Sequence, residues 1–131
     1  MIGYLTDGAI AGYYENGQKE LEESFKNGKR DGKFTYWYES GQLFAETYYK
    51  EGWLDGKWLQ WYENGQLMCE RYYKNGNRVG KWLDWYDDGK KRQYIYWYDN
   101  NSGDPDNDEY FTKKCWDMNG QLWSHNDIDV G

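Results

Sequence analysis

The chain has 131 residues, of which 38% are hydrophobic and 21% aromatic, and its formal net charge is −7. Disorder is excluded for the repetitive body, because large aromatic rings bury roughly 150 to 250 Å² each and replace the aliphatic residues that disordered chains also lack. An acidic chain repels phosphate backbones, which argues against direct binding to nucleic acid. No apolar stretch approaches the length that spans a membrane.

The acidic residues concentrate near the C-terminus. Residues 1–98 carry 14 Lys and Arg against 15 Asp and Glu, a balance of −1, whereas residues 99–131 carry two Lys against eight acids, a balance of −6. Charge of one sign attracts proteins of the other sign over a distance. We therefore expect a basic protein partner.

A period of 24 residues runs through most of the chain. An aromatic residue followed by Tyr, an acidic residue, a polar residue and Gly recurs at that spacing, starting at Tyr13, Trp37, Trp61 and Trp85. A unit this short cannot bury its apolar face alone, so successive units must stack along one packed surface. The sequence predicts a single repeat domain over residues 1–131, with units at residues 7–30, 31–54, 55–78 and 79–98.

Each unit has the pattern of a β-hairpin. In the third unit, residues 57–62 are rich in aromatic strand formers, Asn64 and Gly65 suit a two-residue turn, and residues 66–74 form a second strand-length run. The longer segment 75–80 returns the chain to the next hairpin. Helices are disfavoured, because each glycine inside a helix costs about 1 kcal/mol. The predicted fold is all-β: an elongated, single-layer antiparallel sheet, a meander of stacked 24-residue hairpin repeats.

Strand alternation assigns side chains to the two faces of this sheet, if the hairpin loop has two residues. One face is the candidate core and holds Phe34, Trp58, Trp82, Tyr38, Tyr62, Tyr86, Leu43, Ala45, Leu67 and Cys69. The opposite face, called the half-wet face because it is expected to be partly exposed to solvent, holds Trp37, Trp61, Trp85, Phe44, Met68, Tyr48, Tyr72, Glu22, Glu46 and Glu70.

The rhythm breaks near the C-terminus, where the matching Gly120 comes seven residues late. An acidic insertion at residues 99–109, which contains the only proline, accounts for the delay and reads as a surface loop. Residues 110–125 are predicted to form a degenerate capping repeat, and residues 126–131 a short tail. His125, at the boundary between the two, is expected in the C-terminal tail.

Chemistry-bearing residues are sparse. The single histidine and the distant Cys69 and Cys115 have neither catalytic nor zinc-ligand spacing, so we expect no enzyme, no metal and no cofactor, with both thiols reduced. The acidic residues 104–109 resemble a calcium loop slightly, but the glycine and glutamate that such a loop needs are absent at the required positions. A solvated loop is the preferred interpretation.

The half-wet face is the candidate interface. Trp and Tyr supply rigid contact area, and neighbouring carboxylates receive Lys or Arg from a partner. Packing between strands is the alternative explanation for the same rings. The predicted protein-binding residues are Trp37, Glu46, Tyr48, Trp61, Glu70, Tyr72 and Trp85.

Residues 49–58 and 61–66 resemble the MORN repeat, specifically its bacterial variant with the patterns Tyr-x-x-Gly-x-x-x-Gly-Lys-Trp and Tyr-Glu-Asn-Gly. The resemblance covers residues 7–98, with a weaker copy after the insertion, where Asp117 replaces the recurrent Tyr. It implies an elongated antiparallel sheet that is used for binding. Bacterial members of this variant are commonly labelled antitoxin components of toxin-antitoxin systems.

The resemblance therefore implies a non-catalytic module that binds a cognate toxin. A cytoplasmic location is the default expectation, because no basic segment followed by an apolar run stands at the N-terminus and no apolar stretch is long enough to span a membrane. Two alternatives remain open. One is a membrane-associated or cytoskeletal scaffold, which the lack of a basic stripe disfavours. The other is self-assembly through open sheet edges near residues 4–14 and 110–123.

Overall fold

The computed structural model describes residues 7–98 and 109–127, without the side chains of Phe111 and residues 123–127. These residues form twelve strands: β1 Gly8–Tyr13, β2 Lys19–Lys26, β3 Lys29–Arg30, β4 Gly32–Trp37, β5 Leu43–Lys50, β6 Trp53–Trp61, β7 Leu67–Lys74, β8 Asn77–Arg78, β9 Gly80–Trp85, β10 Lys91–Trp97, β11 Tyr110–Trp116 and β12 Leu122–Asp127. None of the described residues belongs to a helix that is long and apolar enough to cross a membrane.

All strands join one antiparallel sheet in the order β1-β2-β4-β5-β6-β7-β9-β10-β11-β12, with β3 paired to β2 and β8 paired to β7. No connection crosses over another strand along this order. Neighbouring strands lie about 4.8 Å apart, so ten strands in a row extend about 45 Å. The predicted all-β meander of hairpins is confirmed.

The two turns of each repeat differ from their prediction. Tyr62 N donates to Gln66 O at 2.8 Å and Gly65 N donates to Tyr62 O at 2.9 Å, which closes a three-residue loop over residues 63–65. The two-residue turn instead lies at Asn75 and Gly76, whose φ angles are 49° and 81°. Asn64 favours the longer loop, because its Oδ1 accepts a hydrogen bond from Gln66 N at 2.9 Å.

A β-bulge follows the three-residue loop and restores the expected register. Trp61 lies opposite Leu67, but Gln60 lies opposite Cys69, so one extra residue, Met68, is accommodated between them. The longer loop shifts the pairing by one residue and the bulge shifts it back. Most face assignments that assumed a two-residue loop are therefore correct.

The residues beside the bulge are the exceptions. Leu43 lies opposite Trp37, and Leu67 lies opposite Trp61, so both leucines share the tryptophan face and their assignment to the core was wrong. Phe44 packs on Tyr38 with ring centroids 4.7 Å apart, so its assignment to the tryptophan face was also wrong. Met68 holds the corresponding bulge position in the next repeat.

We call the side of the sheet that carries Phe34, Trp58 and Trp82 the core face, and the side that carries Trp37, Trp61 and Trp85 the outer face. The buried hydrophobic residues all lie on the core face: Phe34, Ala45, Cys69, Trp82, Ile95, Trp97 and Cys115. Burial raises the pKa of the Cys69 thiol to about 11, and both cysteines are free.

Aromatic rings contact one another in two rows along the core face, one from Phe25 to Tyr49 and one from Trp58 to Tyr110. Tyr73 and Trp82 have ring centroids 5.1 Å apart, Trp82 and Trp97 5.5 Å, and Trp97 and Tyr110 5.4 Å. Phe34 and Tyr49 form a similar contact at 4.8 Å in an earlier repeat. Each such pair adds about 0.5 to 1.5 kcal/mol to the free energy of burial, so rings replace an aliphatic core.

The C-terminal hairpin differs from its predicted boundaries. Strand β12 continues to Asp127, so His125 lies in a strand rather than in a tail. Strand β11 pairs on both sides, with β10 and β12, so residues 110–116 are not a sheet edge; β1 and β12 are the outermost described strands. Residues 99–108 of the insertion, and with them most of the slight calcium-loop pattern, lie outside the described residues.

Candidate protein-binding surface

The seven predicted interface residues lie together on the outer face, and each is half-buried. Glu46 lies opposite Thr35 and Leu59, and Glu70 lies opposite Leu59, so the two carboxylates alternate with other side chains across the strands. Trp37, Tyr48, Trp61, Tyr72 and Trp85 continue the same face through pairs with Leu43, Lys33, Leu67, Lys57 and Lys91. The repeat therefore gives rows that recur every two strands.

The carboxylates of this surface have partners within the chain. Glu46 Oε1 lies 3.4 Å from Lys33 Nζ, and Glu70 Oε1 accepts a hydrogen bond from Tyr72 Oη at 2.7 Å. That hydrogen bond raises the pKa of Tyr72. A surface ion pair such as that of Glu46 and Lys33 contributes at most about 1 kcal/mol, so a better placed cation can replace Lys33 at small cost.

A lysine column on the outer face was not predicted from the sequence. Lys33, Lys57 and Lys81 are exposed and lie opposite Tyr48, Tyr72 and Tyr96. The strands of these lysines alternate with the strands of Glu46 and Glu70, so the outer face carries both signs of charge. The three lysines are 24 residues apart, and this spacing would have identified the column from the sequence.

The tryptophans of the outer face accept cations from the chain itself. Lys19 Nζ lies 5.5 Å from the centroid of the Trp37 ring, and Lys91 Nζ lies 5.7 Å from that of Trp116. Beside Trp116, a cavity of about 270 Å³ is lined by Leu83, Lys91, Tyr94, Lys114 and Trp116. These rings can therefore hold a cationic or an apolar side chain of a partner.

A larger groove of about 690 Å³ lies at the edge of the sheet, between the turns of neighbouring repeats. Its lining mixes lysines with Asp31, Glu51 and Asp55. Asp31 Oδ2 accepts a hydrogen bond from Glu51 N at 3.1 Å, and Asp55 Oδ2 accepts one from Asn75 N at 3.2 Å. These carboxylates fix the turns, which is a structural role.

The core face carries an ion pair that was also not predicted. Arg71 Nη2 lies 3.1 Å from both oxygens of Asp84, and Gln93 Nε2 donates to Asp84 Oδ2 at 3.4 Å. Within residues 7–98 and 109–127, no group of three or more His, Cys, Asp or Glu is placed to share a metal ion.

No curated protein and no solved structure matches the chain. Residues 7–27, 30–51 and 54–75 match the MORN repeat variant. These segments coincide with the first three hairpins, while the fourth and fifth lie outside the match. Repeats of this type generally act as protein- or membrane-binding modules. The family match thus covers three of the hairpins, over most of residues 7–75.

Proposed function

We propose that this protein is a non-catalytic, cytoplasmic module whose outer face binds a basic protein partner, and that the partner is a toxin which it neutralises. The antitoxin role is motivated by the resemblance to the bacterial variant of the repeat. The binding role has its own support in the geometry of the outer face.

The column of Trp37, Trp61 and Trp85 carries this proposal. Each indole is half-buried, so its position is fixed by packing while part of its surface stays accessible. Tryptophan and tyrosine dominate protein interfaces, because they bring a large contact area with few rotatable bonds. The Glu46 and Glu70 carboxylates beside them supply acceptors for Lys or Arg.

The charge pattern favours a protein over a membrane as the partner. Lys33, Lys57 and Lys81 alternate with Glu46 and Glu70 on the outer face. An anionic bilayer attracts clusters of Lys and Arg, whereas alternating signs suit a protein surface with the complementary alternation.

A pair of charge reversals in one hairpin tests the surface. We expect Glu70→Lys to weaken binding to the partner by about tenfold or more, because it places a cation where the partner's cation docks. Glu63→Lys makes the same change in net charge on the exposed loop of that hairpin and should change the dissociation constant by less than about twofold. Calorimetry with the product of a neighbouring toxin gene measures both.

Four results would count against the proposal. Equal weakening by both reversals would show that only long-range charge matters. No complex at micromolar concentrations would reject that toxin as the partner. Tight, salt-sensitive co-sedimentation with phosphatidylserine vesicles would favour the membrane scaffold, and light scattering that rises with concentration would favour self-assembly through β1 and β12.

A further inference from the structure

One position on the core face carries an aromatic ring in three successive repeats, Phe34, Trp58 and Trp82, but its surroundings differ. The guanidinium carbons of Arg71 and Arg78 lie 5.1 Å and 5.8 Å from the Trp82 ring centroid. The guanidinium carbon of Arg30, the single arginine of the first unit, lies 5.9 Å from the Phe34 ring centroid. Cations over these rings are therefore a recurrent part of the fold.

On the β5 side of Trp58 both arginine positions hold other residues, whereas Arg71 of β7 lies opposite Trp58 on its other side. Leu54 occupies the repeat position that holds Arg30 in the first unit and Arg78 in the third. Thr47 occupies the position that holds Arg71 in the next repeat. Asp84, the partner of Arg71, is replaced by Gln60. The change at each of these positions shortens the side chain or removes its charge.

A cavity of about 310 Å³ opens at this place on the core face. Four half-buried rings form its walls, those of Tyr36, Phe44, Tyr49 and Trp58. Ala45 and Thr47, each 4% exposed, lie between them. The small side chains at the base leave the space that Arg71 fills in the next repeat.

Thr47 gives the cavity an unused polar group. Its Oγ1 is buried and has no hydrogen-bond partner among the described residues. A buried hydroxyl without a partner is unfavourable, so a ligand that supplies a donor at this point gains affinity. Gln60 adds a side-chain oxygen, which accepts only a long contact of 3.4 Å from Trp58 Nε1.

We propose that this cavity binds an arginine side chain of a protein partner, with its guanidinium stacked on Trp58 and donating to Thr47 Oγ1 and Gln60 Oε1. The internal precedent is Arg71 over Trp82. Arginine fits better than lysine, because a planar fork with five donors can stack on a ring and reach two acceptors together.

Charge near the site is mixed. Burial and then the Glu23 carboxylate raise the pKa of Tyr36, so a negative group lies within reach of one wall. Arg30 opposes it, with its guanidinium carbon 5.4 Å from the Tyr49 ring centroid. Ring faces and hydrogen-bond acceptors, more than net charge, therefore provide recognition.

The test uses a blocked pentapeptide, Gly-Gly-Arg-Gly-Gly, and its lysine counterpart as probes, with the full chain labelled with ¹⁵N. We expect the arginine peptide to shift the Trp58 indole N–H signal saturably, with a dissociation constant near one millimolar, about 4 kcal/mol. The lysine peptide should bind at least about fivefold more weakly. Equal binding of both peptides, or no shift at about 10 mM, overturns the proposal.

Two variants make the result specific. Thr47→Arg combined with Gln60→Asp rebuilds the pair of Arg71 and Asp84 without changing net charge, fills the cavity, and should abolish the shift. Thr47→Val removes only the hydroxyl, should leave the protein folded, and should weaken binding about threefold to tenfold. Full binding by Thr47→Val or by a folded double variant contradicts the site.

The proposal concerns the core face and is independent of the outer face. Glu70→Lys should leave the peptide titration of Trp58 unchanged, and the two Thr47 variants should leave the outer face intact. Failure of the cavity to bind arginine therefore leaves the proposed function standing, and the reverse also holds.

Discussion

Single tyrosines connect one repeat to the next. Tyr14, Tyr38 and Tyr62 donate their hydroxyls to the carbonyls of Trp37, Trp61 and Trp85 at 2.7, 2.7 and 2.8 Å, always 23 residues along the chain. Tyr86 makes the same bond to Trp116 at 2.9 Å, 30 residues along. The difference of seven residues agrees with the phase shift in the sequence. Burial raises the pKa of Tyr38 and Tyr62, so both hydroxyls keep their protons.

We expect Tyr62→Phe to lower the free energy of unfolding by about 1 kcal/mol. The ring keeps its packing, but the carbonyl of Trp85 loses a donor that it receives at 2.8 Å. Urea titration followed by tryptophan fluorescence measures the change.

Tyr13→Phe is the matched control for this substitution. Tyr13 is 60% exposed, so its loss should change the free energy of unfolding by less than about 0.5 kcal/mol. If the two variants are equally stable, the hydroxyls do not hold the repeats together.

At the scale of the element, the two-residue turns depend on glycines in unequal surroundings. Asn27-Gly28 and Asn75-Gly76 both have two positive φ angles. A Cβ added to Gly28 meets nothing within 4 Å, but one added to Gly76 comes within 2.8 Å of Trp53 Cε3. The turns therefore share their backbone conformation and differ in packing.

We expect Gly28→Ala to cost about 1 kcal/mol, which is the strain of a left-handed alanine. Gly76→Ala should cost about 3 kcal/mol, because the Trp53 ring must also move. Thermal and urea unfolding of the two variants give the difference.

Repeating both glycine substitutions in a Trp53→Ala protein shows whether the contact with Trp53 causes the larger loss of stability. In a Trp53→Ala protein the two glycine substitutions should cost the same, since the clash is gone. If Gly76→Ala stays the more damaging change in that background, the contact with Trp53 is not the reason.

The hairpins were predictable and their local details were not. The period and the alternation at Trp58 and Trp61 place the strands and their two faces. The bulge beside Leu67 and Met68 is invisible in the pattern, because the three-residue loop and the bulge cancel in register. Sequence alone therefore gave the correct face for distant residues and the wrong one for the residues next to the bulge.

The candidate surfaces were predictable to different degrees. Positions that are aromatic in every repeat, such as those of Trp37 and Trp61, reveal a face by their recurrence. The cavity at Thr47 arises where one repeat departs from its neighbours, so only the packed structure shows that the space is left open. The lysines of the column recur with the 24-residue period and were therefore predictable, but the acidic net charge of the chain drew attention away from local basic positions.

At the scale of the whole molecule, the described strands are hydrogen-bonded in chain order, so each hairpin pairs with the hairpins next to it along the sheet. Stability in such an array is close to a sum of repeat and interface contributions. One period can then be removed if the remaining interfaces are preserved. Deletion of residues 31–54 meets that condition, because it joins Arg30 to Asp55 and keeps the pair of Arg71 and Asp84.

We expect the 31–54 deletion to fold into a sheet about 10 Å shorter, in which Tyr14 donates to the carbonyl of Trp61 instead of Trp37. The free energy of unfolding should fall by about 1 to 4 kcal/mol, the share of 24 residues at an ordinary stability per residue. Small-angle scattering and urea unfolding measure the two changes.

Deletion of residues 31–42 removes half a period, sets the following strands out of phase, and should abolish cooperative unfolding. If the full-period deletion unfolds the protein as completely as the half-period one, the repeats are not interchangeable units of one sheet.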